Sequence, residues 1–231
     1  MTNAQQLPPP DPENTTTSAH PTNLPGNITI LISTCDSFYD VWTPNFCLWA
    51  KFWPDCPFPV YLLTNRIRID EGPIKNIPLG EDLGWSDNLI AALDRIPIPY
   101  IFYSQEDHFL MRPVLTDTVL RCAEVLQDTG ADFFMFRAGG PQKGDPCQVN
   151  GLQLLRGPAS SLDTTDPEWQ DYYSLHCDPA IWRKDSLRRL LVPGETAWDF
   201  LRDAICRAHA AGYRYYQFHW KKNPPTSPST I

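Results

Sequence analysis

The chain has 231 residues, of which 42% are hydrophobic and 12% aromatic, enough to bury one sizeable core. Its formal net charge of -8 argues against a general binder of nucleic acid or anionic membrane, since both uses want a basic face. The seven cysteines, Cys35, Cys47, Cys56, Cys122, Cys147, Cys177 and Cys206, are odd in number and include no C-x-x-C pair; they read as reduced thiols of a cytoplasmic protein, not as a disulfide framework or zinc site.

Residues 1–26 are rich in Pro, Thr, Asn and Gln and lack the basic start and apolar run of a signal peptide, so they read as a disordered leader. Residues 223–231 have the same character and read as a disordered tail. No run of about 18 apolar residues marks a transmembrane helix. A single folded domain is expected over 27–222.

Within it the hydrophobic periodicity alternates between strand and helix. Residues 28–33, ITILIS, predict a buried strand, followed by a polar turn of Thr34, Cys35, Asp36 and Ser37. Thr43 and Pro44 have the chemistry of an N-cap and first helical residue, opening a helix with Phe46, Trp49, Ala50 and Trp53 on one face. A second strand over 59–63 completes a β-α-β unit, which implies parallel strands. Ser86 caps a helix with Leu89, Ile90 and Leu93 inward, leading to a central strand at 99–104. An amphipathic helix over 115–128 ends at Gly130, and a strand over 132–137 follows. Residues 138–171 read as loops with a short strand near 152–155, and 172–177 as another strand. Helices over 184–191 and 195–211 follow, the latter with Trp198, Leu201, Ile205 and Ala208 as its inward stripe, then a last strand over 213–218.

The informative stretch is PYIFYSQEDHFL, residues 99–110, where an apolar strand stops at Glu106, Asp107 and His108. Open α/β sheets place their chemistry just past the carboxyl ends of their strands. Adjacent carboxylates there suit a hard divalent cation, although a solvated acidic turn would carry the same residues. Dinucleotide-binding, P-loop and α/β-hydrolase signatures are all absent, so phosphate affinity has to come from elsewhere, and a bound cation would supply it.

The succession of TCD turn, aromatic-rich helix, LLTN, W-S-D helix, QEDHFL, SLHCDPAIW and PGETAWDF resembles bacterial glycosyltransferases of GT-A fold over most of 28–220. The resemblance implies an α/β domain with a mostly parallel central sheet flanked by helices and a Rossmann-like nucleotide-binding half. It implies transfer of a sugar from a nucleotide-diphosphate sugar to an acceptor hydroxyl, in cell-surface polysaccharide or glycoconjugate synthesis, with Mn2+ or Mg2+ as cofactor. From the acidic charge and the lack of a transmembrane run, no nucleic-acid partner is expected, and contact with membrane only at its surface. The family's D-x-D motif maps onto Glu106 and Asp107, where this chain reads E-D-H, and the late histidine that completes the metal shell maps onto His219.

The resemblance further places Thr34, Asp36, Arg66, Trp85, Asp87, Glu106 and Lys221 toward the nucleotide sugar. His176, Asp178 and Trp198 fall on the acceptor side, and Glu195 with Asp199 at the catalytic base. Each has a plainer alternative: Asp36 as a turn cap, Arg66, His219 and Lys221 as solvated surface groups, Trp198 as core, Glu195 as a charge stabilising a helix end. A nucleotidyltransferase shares such a sheet but normally carries a Gly-rich basic loop after strand one, which TCDSFYD does not provide. A non-catalytic nucleotide- or carbohydrate-binding protein is the other alternative.

Overall fold

The computed structural model describes residues 24–69, 72–136, 144–157 and 177–219. Most of the expected leader and all of the expected tail lie outside these residues, as do His176, Lys221 and all but the last residue of the strand expected at 172–177.

Among the described residues a nine-stranded sheet runs in the order β3-β2-β1-β4-β8-β5-β9-β7-β6. A short helix α1 (Leu24–Asn27) leads into β1 (Ile28–Ser33), every residue of which is buried. After a 3-10 turn at Asp36–Phe38, helix α2 (Tyr39–Phe52) crosses to β2 (Val60–Thr64), and a short connection leads to β3 (Ile74–Pro78). Helix α3 (Trp85–Arg95) then carries the chain back to β4 (Tyr100–Gln105) on the other side of β1. The β1–β2, β2–β3 and β1–β4 pairings are all parallel. Helix α4 (Thr116–Thr129), closed by Gly130 at φ 64, leads to β5 (Phe133–Met135). Beyond it lie β6 (Asp145–Val149), β7 (Leu152–Gly157), β8 (Ala180–Arg183), α5 (Lys184–Leu190), α6 (Ala197–Ala210) and β9 (Tyr215–Phe218).

The sheet is mixed: β7 and β8 oppose the other seven strands, with β8 wedged antiparallel between β4 and β5. One face carries α2 and α4 over a cluster that includes Ile30, Trp49, Trp53, Phe102 and Val119; the other carries α3, α5 and α6 over Leu31, Leu93, Tyr103, Trp182 and Phe200. In the second cluster the Phe133 ring lies between those of Trp182 and Tyr215, at 4.3 and 4.8 Å, and each such pair adds about 0.5–1.5 kcal/mol to simple burial.

Several elements differ from the sequence expectation. Helix α2 begins at Tyr39, four residues before Thr43, and takes Pro44 into its interior. Burial of Trp42 and its bond to Thr34 pin this early turn, outweighing the start preference of Thr-Pro. Strands β3 and β6 form where irregular chain was expected, and β8 where no element was assigned. The Asn150–Gly151 pair, both at positive φ, makes the tight turn that folds β6 onto β7. In α6 the buried stripe is Phe200, Ala204, Ile205 and Ala208, so Trp198 and Leu201 lie off it.

Candidate functional site

Strands β1 and β4 run side by side in register, Ser33 beside Gln105, and their chains leave at the same edge of the sheet. The strand order reverses between them, with β2 and β3 beyond β1 and the later strands beyond β4, which makes this a topological switch point, where open α/β sheets leave a crevice. Here the crevice is a cleft of about 530 Å³. It is lined at the strand ends by Ser33, Thr34, Gln105, Glu106 and Asp107, and by Asp82, Trp85 and Asn88 at the start of α3 together with Ala197, Trp198 and Leu201 of α6.

The acidic turn is tightly braced. The His108 N–H donates to the Gln105 carbonyl at 3.2 Å, and the Gln105 N–H donates back to His108 Nδ1 at 3.1 Å. With Nδ1 accepting, the neutral ring carries its proton on Nε2, 3.9 Å from Asp107 Oδ1. Burial pulls the His108 imidazole below its ordinary pKa, opposed by the charges of Asp107 and Asp178. Glu106 is pushed above the usual carboxylate range by burial and the neighbouring Asp107 charge, against hydrogen bonds from its own backbone and from Thr34. The Asp107 side chain is 71% exposed at the tip of the turn.

On the wall, Trp85 donates Nε1–H to the buried Tyr103 hydroxyl at 3.2 Å and packs on Phe200 with ring centres 5.2 Å apart. Asp82 accepts from the Asn88 amide at 2.6 Å and from the Gly84 N–H at 3.1 Å, which shapes the loop before α3. Two aromatic side chains stand out at the lip: Phe38, 50% exposed, and Trp198, 78% exposed. Burial, helped by Asp178 and Asp107, pushes the Cys177 thiol up to about 12, so it lines the cleft as a small apolar group. No lysine or arginine is among the described residues lining the cleft.

Of the expected donor residues, Thr34, Trp85 and Glu106 line this cleft together with Asp107. Asp36 does not: its Oδ1 accepts the Asn65 N–H at 2.9 Å, and its Oδ2 accepts those of Arg66 and Ile67 at 2.8 and 3.0 Å. Burial raises its pKa, but these three donors prevail and hold the carboxyl below its ordinary range. Asp36 therefore ties the loop after β1 to the loop after β2, while the Arg66 side chain is exposed outside the cleft. Asp87 accepts from the Gly194 N–H at 2.7 Å and joins α3 to the turn before α6.

The two carboxylates expected as the catalytic base are placed differently from the sequence reading. Thr196 is the N-cap of α6, so Glu195 precedes the helix. Its carboxylate is held by Arg207 and is not among the groups lining the cleft. Asp199 completes a capping box with Thr196 and accepts from Arg202 at 3.0 Å; it too lies outside the cleft lining. Asp178, next to Cys177, is near enough to act on His108. His219 follows β9, three strand positions from β4 or roughly 14 Å across the sheet, and its Nδ1 is buried.

Among the described residues no three His, Cys, Asp or Glu side chains converge as a metal cage. Two adjacent carboxylates fit a different mode, in which a Mg2+-like ion keeps waters and is shared with substrate phosphates. The sequence reading missed Phe38, Asp82, Asn88 and Leu201 as cleft residues. Only the D-x-x-W-S-D-N run hinted at the Asp82–Asn88 pair, whose contact needs the turn at Gly84.

No protein-family model matches the chain, and no curated protein matches it in sequence. Solved structures do share its fold. A mannosyltransferase, PcManGT from Pyrobaculum calidifontis in complex with GDP-Man and Mn2+, superposes over 82% of this chain and 53% of its own at 12% identity, with a TM-score of 0.50. S. aureus TarS 1-349 superposes over 83% of this chain and 58% of its own at 14% identity, with a TM-score of 0.51. The bifunctional IspDF from Campylobacter jejuni superposes less well, at 14% identity and a TM-score of 0.44 over 83% of this chain and 48% of its own. This chain spans about half the length of these structures. The protein thus has a single-domain, GT-A-like α/β fold, with its large mixed sheet flanked by helices.

Proposed function

We propose that the protein is a cation-assisted glycosyltransferase, moving a sugar from a nucleotide-diphosphate donor to an acceptor hydroxyl. The observation that carries this reading is the acidic turn at the carboxyl end of β4, opening onto a switch-point cleft with no lysine or arginine in its described lining. A diphosphate there needs a positive charge, and Glu106 and Asp107 are the groups that would hold Mn2+ or Mg2+. When bound, such an ion supplies charge stabilisation for the departing nucleoside diphosphate.

Thr34 and Trp85 face the donor in this reading. Arg66 and Lys221 are the basic groups that would approach it, and Asp36 and Asp87 shape its loops. Trp198, with Asp178 and His176, belongs to the acceptor side, where an exposed indole offers an apolar face to a sugar ring. Glu106, its pKa raised by burial, stands with Asp107 and Asp82 as the carboxylates among the described residues lining the cleft. A base role for Glu195 or Asp199 would require a rearrangement that frees them from Arg207 and Thr196. The seven unpaired cysteines suit a cytoplasmic protein, and among the described residues no helix is long and apolar enough to cross a membrane. Synthesis of a cell-surface polysaccharide or glycoconjugate is the setting this reading favours.

The E-D-H turn and the absence of a third converging ligand among the described residues favour one second reading, a nucleotide- or carbohydrate-binding protein without catalysis. Incubation with UDP-, GDP- and CMP-sugars and Mn2+, followed by assay of free nucleotide, separates the two. Release stimulated by an acceptor supports transfer; tight binding with no release supports the binding protein.

A further inference from the structure

Helix α2 reaches the acidic turn through Asn45 and the turn after β1 through Trp42, two side chains one helical turn apart. Asn45 is 1% exposed, and its amide nitrogen donates to the Glu106 carbonyl at 2.8 Å and to the His108 carbonyl at 3.2 Å. The two acceptors flank Asp107, so one amide fixes the backbone on both sides of that residue. Trp42 is 3% exposed and donates Nε1–H to Thr34 Oγ1 at 2.9 Å. With that lone pair occupied, the Thr34 hydroxyl keeps a single proton to share between the Cys35 carbonyl at 3.4 Å and the Glu106 carboxylate, whose pKa it lowers.

The choice of Asn45 is unfavourable for packing alone. It stands on the helix face that carries Trp42 and Trp49 into the core, and its Oδ1 is buried without a partner among the described residues. A leucine would fill such a position with no orphaned acceptor. What asparagine adds is the pair of N–H groups on the turn.

Resting on the donor-site reading above, we propose that Trp42 and Asn45 are positioning residues, acting from α2 to hold Thr34 and the Glu106–His108 turn so that the Glu106 and Asp107 carboxylates are presented ready-formed to a cation-bound diphosphate. Preorganisation of this kind removes an ordering cost from binding, and loss of such supporting groups typically weakens metal sites by about tenfold or more.

The test combines amide hydrogen exchange on the full chain with calorimetric affinity for UDP and GDP in Mn2+, for wild type, Asn45→Leu and Trp42→Phe. Asn45→Leu is expected to speed exchange at His108 and Phe109 by about tenfold while β1 and β4 stay protected, and to weaken the Mn2+–nucleotide complex by about tenfold. In an Asp107→Asn background it is expected to add no further loss, as for groups acting through one another. Trp42→Phe, which keeps the ring bulk, is expected to weaken the same complex, with Thr34→Val adding nothing. Unchanged exchange at the turn in Asn45→Leu, or loosening spread evenly through α2 and β4, overturns the proposal. A wild type that binds neither nucleotide overturns the transferase reading instead, and the exchange comparison still decides whether Asn45 braces the turn.

Discussion

Arg207 grips Glu195 with both guanidinium Nη atoms, Nη1 to Oε1 at 2.6 Å and Nη2 to Oε2 at 3.0 Å, while Oε2 also accepts the Val192 N–H at 3.1 Å. The Glu195 side chain is only 10% exposed, so this is a mostly buried pair that fastens the turn before α6 to the helix itself. Removing one partner strands the other. Glu195→Ala is therefore expected to destabilise the fold by about 2–4 kcal/mol, somewhat under the range for fully buried pairs. In a thermal melt this is a fall in Tm of roughly 5–10 °C. Nucleotide affinity is expected to stay within about twofold of wild type, since the pair lies outside the cleft lining. A stable variant that has lost turnover instead identifies Glu195 as the base.

Asp36 gives the fold an acid-sensitive joint. Its folded pKa is depressed by the Arg66, Asn65 and Ile67 N–H groups, against the opposing effect of burial, so the ionised carboxylate is the form the fold prefers. The stabilisation is present above the ordinary value of 3.8 and is lost as pH falls through the lower folded value. At neutral pH Asp36→Ala is expected to cost about 1–2 kcal/mol, the scale of hydrogen bonds to a charged acceptor. In urea melts taken at pH 7 and at pH 3, the difference between wild type and variant is expected to shrink at the lower pH. A difference that stays constant refutes the assignment.

Trp198 is exposed and contributes little to the core, so Trp198→Ala is expected to leave Tm within about 1–2 °C of wild type. If its indole receives the acceptor sugar, the same change is expected to raise acceptor KM by about tenfold, on the scale of a lost stacking contact. Donor affinity is expected to be unchanged. A fall in donor affinity of equal size would move Trp198 to the nucleotide side.

The elements that sequence exposes best are those set by local pattern. ITILIS, the apolar run before QEDHFL and the amphipathic α3 and α4 announce themselves through buried faces, and they suffice to place Thr34, Glu106 and Asp107 at one edge of the sheet. What the pattern hides depends on partners distant in sequence. Strand β8 is only four residues long and owes its existence to β4 and β5 on either side. Trp198 has the spacing of a core residue, and only the orientation of α6 turns it to solvent. Glu195 reads as a helix-end charge until Arg207, twelve residues on, is seen to close over it. His219 matches a late metal ligand by order in the chain, yet the strand order sets it three places from the acidic turn.

The central claim is that Asp107 binds nucleotide through a divalent cation, and it is tested most directly by calorimetric titration of wild type and Asp107→Asn with UDP, GDP and CMP, each with and without Mn2+. The account predicts that one nucleotide binds wild type at least about tenfold more tightly with Mn2+, and that Asp107→Asn abolishes the gain while leaving Tm unchanged. Nucleotide affinity that is indifferent to Mn2+, or a Mn2+ gain that survives in Asp107→Asn, would contradict it.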